Sequence, residues 1–261
     1  MIIRVNDAAP AEFDLRKTRR KRLMLILFSV LGFLILLPLV WFGYLTVGYY
    51  LRLKSGAIVD PNARRMQASL SSYVANAKVT PADIERLTPA GLAPELGNRS
   101  ARVTVIEFAD YQCPFCKEQA PIVRRVIAAM GNQVHFLIRD FPVSEIHPDA
   151  RNAALAANCI LAQGQDPYWR FHDLVYMDQE HMSPDDLRKL ATFVNVDMAQ
   201  YDACMEARTY DRKIDKDVDD GRRAGVQGTP TFFVNGVRFQ GLMDEKTFTL
   251  VLNQFLEAQP K

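Results

Sequence analysis

Two cysteines stand three residues apart in Gln112-Cys113-Pro114-Phe115-Cys116-Lys117. On the first turn of a helix that spacing brings two sulfurs close enough to bond to each other. The chemistry on offer is thiol–disulfide exchange, in which a thiolate attacks a sulfur and a neighbouring thiol displaces it. Cys113 is the candidate nucleophile. A helix N-terminus presents unpaired backbone N–H groups and the positive end of the helix dipole, and both favour a thiolate. On the exposed side of the turn it would also be reachable. Cys116, one turn in and less exposed, is the candidate resolving thiol. Zinc is the rival use of such a pair, but no second Cys-x-x-Cys or Cys/His pair completes four ligands.

The positioning elements are a strand and a helix. Val103-Thr104-Val105-Ile106-Glu107-Phe108 is dominated by β-branched and apolar residues and predicts a buried strand. The following helix carries Ile122, Val123, Val126 and Ile127, and Gly131-Asn132 stops it. The cysteines therefore fall at a strand-to-helix turn. Glu107 is a carboxylate inside an apolar strand. Burial would raise its pKa and suit it to proton transfer with Cys116; the other reading sets it on a solvated strand edge. Asp110 reads as a turn or cap residue.

This stretch resembles the thioredoxin superfamily, and within it the DsbA-like branch. Glu107 stands six residues before Cys113, where that superfamily carries a buried acid, and Pro121 stands where it kinks its first helix. Gly225-Val226-Gln227-Gly228-Thr229-Pro230-Thr231-Phe232-Phe233 looks like its cis-proline loop and following strand. The likeness spans roughly residues 101–258. It implies an α/β chain: a thioredoxin fold with an all-helical insertion, about 141–227; the uncharged stretch 23–51 sets one N-terminal transmembrane helix before it. It also implies that Pro230 is cis and that the Thr229 backbone lies beside the sulfurs, where an extended substrate could pair as an added strand. The implied activity is oxidation, reduction or isomerisation of cysteines in exported proteins. It needs no dissociable cofactor, and a membrane oxidase or reductase would reset the pair. Strongly oxidising members carry a histidine between the cysteines. Phe115 stands here and cannot act by charge.

Two other classes stay open. One is a chaperone or binding module that uses the cleft without turnover. The other is a copper-delivery protein, for which Met177, His172, His181 and Met182 supply ligand types at poor spacing. His135 and His147 receive no role.

The chain has 261 residues and a formal net charge of +2, enough for one membrane segment and one domain with a real core. The global charge indicates no nucleic-acid partner. Residues 1–22 form a polar tail ending in Arg16-Lys17-Thr18-Arg19-Arg20-Lys21-Arg22. Residues 23–51 carry no charge and exceed the about 20 that cross a bilayer. Trp41, Tyr44, Tyr49 and Tyr50 gather toward the far end like an aromatic belt. The basic run outweighs Arg52 and Lys54, which sets the N-terminus in the cytoplasm and the rest across the bacterial inner membrane, in the periplasm. A cleaved signal peptide is the rival, but the apolar stretch is long for one and no Ala-x-Ala-like site follows. Residues 52–100 read as a helical juxtamembrane spacer, with a dimerisation segment as the sharper alternative.

Between Asp140 and Gly228 the pattern is helical. Asp149 to Gln163 is alanine-rich, Asp166-Pro167 opens a helix, and Ser183-Pro184-Asp185-Asp186 is a cap followed by proline and acids. Cys159 and Cys204 fall on separate helices there. In an oxidising compartment they are expected to pair, stabilising by about 3–4 kcal/mol; as free thiols they would be apolar fillers. Asn235-Gly236, between Thr231–Val234 and Val237–Gln240, signals a hairpin. A last helix starts at Asp244.

Overall fold

The computed structural model describes residues 15–54, 61–76, 85–88 and 91–258. The chain divides into two compact units, Met1–Arg64 and Arg65–Lys261. In the first, helix α1 (Leu15–Lys54) runs without a break through Pro38. Its stretch Met24–Arg52 has a mean hydropathy of 2.7 and is long and apolar enough to cross a membrane. Its large apolar side chains are exposed along their whole length. The helix begins at Leu15, so it includes the basic run expected as a tail.

The second unit is built on a five-stranded sheet in the order β1-β3-β2-β4-β5. These are β1 (Glu95–Gly97), β2 (Val103–Ala109), β3 (Val134–Asp140), β4 (Thr231–Val234) and β5 (Val237–Gln240). Strands β2 and β3 are parallel and joined by helix α3 (Pro114–Met130), because a parallel pair requires a long crossover. The other pairings are antiparallel. Strand β1 lies in the stretch expected as a spacer. Hydrogen bonds from the insertion hold it there: Trp169 Nε1 donates to the Glu95 carbonyl at 3.0 Å, and Gln165 Oε1 accepts from the Glu95 N–H at 3.1 Å.

Side chains alternate across a strand, and β2 divides accordingly. Val103 and Val105 enter the larger core with Val123, Val126 and Ile127 of α3. Ile106 and Phe108 enter a smaller core on the other face. Glu107 shares the parity of Val103 and Val105, so the pleat turns it toward the α3 side. The hairpin β4–β5 turns through Asn235 at φ 45° and Gly236 at φ 83°, the left-handed pair that a two-residue turn demands. Helix α9 (Glu245–Ala258) closes the larger core with Phe248, Val251, Leu252 and Phe255.

The insertion comprises α4 (Ala150–Leu161), α5 (Gln165–Met177), α6 (Pro184–Phe193), α7 (Met198–Glu206) and α8 (Asp211–Arg223). Ser183 caps α6 by accepting the Asp186 N–H, as its sequence signature predicts. Cys159 on α4 and Cys204 on α7 form a disulfide with their Cα atoms 5.8 Å apart. Helix α8 packs tightly on the sheet: a Cβ on Gly221 would lie 2.9 Å from the rings of Phe108 and Phe141. Under it lies a buried charge network. Arg139 donates through Nε and Nη2 to Asp217 at 2.9 and 2.7 Å and through Nη2 to Asp220 at 2.6 Å. Its Nη1 takes the carbonyls of Arg86 and Leu87.

Helix α2 (Pro61–Asn76) extends into this unit. Leu70 and Val74 pack against the larger core. The Tyr73 hydroxyl donates to the Arg238 carbonyl on β5 at 2.6 Å, and its ring meets Phe239.

Candidate functional site

The site lies at the C-terminal end of β2. After Ala109 the chain turns through Asp110-Tyr111-Gln112, and Cys113 becomes the N-cap of α3 with Pro114 in the first turn. Proline suits that place because its missing N–H would have had no partner there. Asp110 fixes the turn. Its carboxylate accepts the N–H groups of Gln112 at 2.7 Å and Val143 at 2.8 Å, and its Oδ2 meets His147 Nδ1 at 2.8 Å. This is the turn-forming part that its residue type suggested. His147, which carried no assigned role, is its partner.

Cys113 and Cys116 are the free thiols of the described residues. Their environments push them apart. Cys113 is held down to about 5, first by the Cys116 thiol that hydrogen-bonds to it. Burial opposes this, while the Thr229 side chain and the backbone N–H groups of Cys116 and Phe115 assist. Cys116 is raised well above an ordinary thiol, first by burial and then by its bond to Cys113 and the charge of Glu107. Glu107 is itself buried and pushed up to about 8, chiefly by desolvation and then by Cys113. A thiolate, a protonated thiol and a protonated carboxyl can therefore coexist near neutral pH.

One expectation changes. Cys113 was expected on the exposed side of the turn, yet it is only 4% exposed. The cover is the proline loop. The Thr229–Pro230 peptide is cis, and the Thr229 carbonyl lies 3.3 Å from Cys113 Sγ. Phe115, between the two cysteines, is 56% exposed. A cleft of about 590 Å³ runs alongside, lined by Lys117, Ala120, Pro121, Arg124, Tyr176 and Met177 among others.

The copper candidates do not converge. Met182 is buried and Met177 exposed, while His172 binds Asp173 and His181 binds Asp178. Among the described residues no three His, Cys, Asp or Glu side chains gather in a metal-binding group.

Several site residues carry no motif. Tyr111 donates its hydroxyl to that of Tyr168 at 3.0 Å and stacks on Tyr176 at 5.2 Å between centroids. The Tyr176 hydroxyl donates to the Asp110 carbonyl. Gln112 pairs reciprocally with Asp149, the residue before α4. The helical insertion is thereby tied to the redox turn. The available signal was the aromatic density of Tyr168-Trp169-Arg170-Phe171-His172-Asp173-Leu174-Val175-Tyr176.

Comparison with known proteins gives a consistent fold. The family model described as Thioredoxin matches residues 90–254. A thioredoxin-like oxidoreductase from Silicibacter pomeroyi superposes with a TM-score of 0.60 at 26% identity, covering 67% of this chain and 98% of that one. Oxidised BdbD from Bacillus subtilis does so with a TM-score of 0.56 at 26% identity, covering 64% and 94%. Among curated sequences, a Na(+)/H(+) antiporter, NhaA 3, from Salinispora tropica is 35% identical over 164 residues, 62% of this chain and 25% of its own length. The chain spans about a quarter of the curated relatives it matches.

Proposed function

Because this chain belongs to the thioredoxin family, we propose that it is a thiol:disulfide oxidoreductase whose Cys113–Cys116 pair forms, reduces or isomerises disulfides in exported proteins. The observation that carries this reading is the position of Cys113. It caps α3, receives the Cys116 thiol, and lies 3.3 Å from the Thr229 carbonyl of a cis-proline loop.

In the oxidising direction the pair begins as a disulfide. A substrate thiolate attacks Cys113 Sγ, and the Cys113–Cys116 bond breaks with its electron pair on Cys116. Cys116 holds a proton strongly, and Glu107, still protonated near neutral pH, is the group placed to supply it. A second substrate thiolate attacks the substrate sulfur of the mixed disulfide, and Cys113 leaves as the thiolate. Two substrate thiols have lost two electrons, and the pair has gained them. A thiolate stable down to about pH 5 is a good leaving group, which favours this direction. It does so without a histidine between the cysteines. Reduction runs the same steps backward. A membrane oxidase or reductase resets the pair.

Strand-like pairing of the substrate with the Thr229 backbone would present its sulfur to Cys113. Helix α1 is the anchor in the bacterial inner membrane. The basic run before it, set against Arg52 and Lys54 after it, supports an N-terminus in the cytoplasm and a thioredoxin domain in the periplasm.

The test is a Cys116→Ala variant expressed in cells, with its trapped mixed disulfides identified. Adducts at Cys113 with exported proteins support the reading. Recovery of a quinone-linked oxidase sets the direction as oxidation, and recovery of a membrane reductant sets it as reduction. No adduct at Cys113, with unchanged partner binding by a Cys113→Ser variant, would leave a non-catalytic binding module instead.

A further inference from the structure

One side chain of the insertion reaches the backbone of the redox turn itself. Gln179 lies between α5 and α6, half-buried, and its Nε2 donates to the carbonyls of both Tyr111 and Cys113, at 2.7 and 3.0 Å. An amide nitrogen carries two hydrogens, so each carbonyl receives its own. Both carbonyls matter to the nucleophile. That of Cys113 is the N-cap carbonyl of α3 and also accepts the Lys117 N–H at 3.1 Å. That of Tyr111 sits inside the turn closed by Cys113 N–H on the Asp110 carbonyl at 3.2 Å.

We propose that Gln179 is a positioning residue for thiol exchange: its amide clamps the Tyr111 and Cys113 carbonyls and so sets how Cys113 Sγ faces Cys116 and Thr229. This rests on the oxidoreductase reading above. The clamp also has an electrostatic side. A carbonyl oxygen carries partial negative charge, and these two belong to the residue that must hold an anion and to the turn leading into it. The amide hydrogens face both oxygens and offset part of that charge. Glutamine meets both needs by its chemistry. Glutamate would set a charged oxygen against two carbonyl oxygens. Methionine has nearly the same length and no donor, whereas lysine keeps several donors on one nitrogen.

The test uses the full chain in detergent micelles. Wild type, Gln179→Met, Gln179→Glu and Gln179→Lys are compared for their equilibrium with a glutathione redox buffer, the pH midpoint of Cys113 alkylation, and Tm. The Met variant should lower the oxidising equilibrium constant about three- to tenfold, the range of one ordinary hydrogen bond. It should raise the alkylation midpoint by roughly half to one pH unit, since a tenfold change corresponds to one unit. The Glu variant should exceed both shifts, and the Lys variant should return both to within about twofold of wild type. Gln179→Asn, too short by one methylene to reach the carbonyls, should match the Met variant and replaces it if that one does not fold. A lower Tm with an unchanged equilibrium and midpoint would overturn the proposal and leave Gln179 a simple brace. Absence of exchange in the wild type would instead overturn the oxidoreductase reading.

Discussion

Phe108 on β2 and Thr231 on β4 face each other on one rung of the antiparallel ladder. Glu107 immediately precedes the first, and Pro230 immediately precedes the second. The acid and the proline loop are therefore held in register by backbone pairing at the centre of the sheet. The turn carrying Cys113 starts two residues beyond Phe108. The three parts of the site are fixed by the same pair of strands, so each can be substituted without releasing the others.

Glu107→Gln should slow the step that moves a proton on Cys116 by about 10²-fold, the low end for general acid–base catalysis. It should also change the dependence of stability on pH. In the wild type the folded carboxyl is raised to about 8 from an ordinary 4.5. Between those values the unfolded chain gives up a proton that the native state keeps, so stability falls as pH rises through that window. For a buried group the loss is roughly 3–5 kcal/mol. Urea unfolding of the reduced protein at pH 5, 6.5 and 8 should show wild-type stability falling relative to that of the Glu107→Gln variant.

Cys113 gives the opposite slope. Its folded value of about 5 lies below the ordinary 9, so the reduced protein gains stability as pH rises from about 5 toward 9. The oxidised protein has no such thiol. The stability of reduced over oxidised protein should therefore widen between pH 5 and 8. Alkylation of the reduced protein should show a midpoint near pH 5. Cys116→Ala removes the main hydrogen-bond donor to the thiolate and should raise that midpoint by about one to two units.

Cys159→Ala with Cys204→Ala should cost about 4 kcal/mol, the loop-closure entropy of a crosslink spanning 45 residues. Denaturant titration checks the value. The folded variant should still exchange disulfides, because neither cysteine touches the redox turn. An inactive but folded variant would show that the staple also shapes the site.

Arg139→Met should destabilise by about 2–3 kcal/mol, since it strips the guanidinium from Asp217 and Asp220 and leaves them Lys213 and Lys216 alone. The same measurement on Arg139→Met with Asp217→Asn and Asp220→Asn should recover part of the loss. No recovery would mean that the carbonyls of Arg86 and Leu87, not the carboxylates, need the guanidinium.

Much of this architecture is legible in the sequence, for a physical reason. Strand β2, the hairpin at Asn235-Gly236, the Gly131 stop and the Ser183 cap each depend on local chemistry, and the structure has each at its expected place. Glu107 was flagged because a carboxylate among β-branched residues must be either buried or edge-bound. The pleat, not the sequence, settles which. Contacts across the fold left no local trace. The acids of Asp211-Arg212-Lys213-Ile214-Asp215-Lys216-Asp217-Val218-Asp219-Asp220 look like a solvated face until Arg139 is set beneath them. A single arginine at the end of an apolar strand was the one clue. Strand β1 was hidden because three residues make too short a pattern. The cover over Cys113 depends on the Thr229–Pro230 loop, more than a hundred residues away.

The bond between Cys159 and Cys204 carries a consequence for how this protein comes into being. Four thiols leave the ribosome, and one pairing must become permanent while the other stays reversible. Cys159 ends up beneath the surface, where an outside oxidant no longer reaches it. On the proposed chemistry the catalyst begins life as a client, dependent on an outside oxidant, or on an older sister molecule, to finish its own fold.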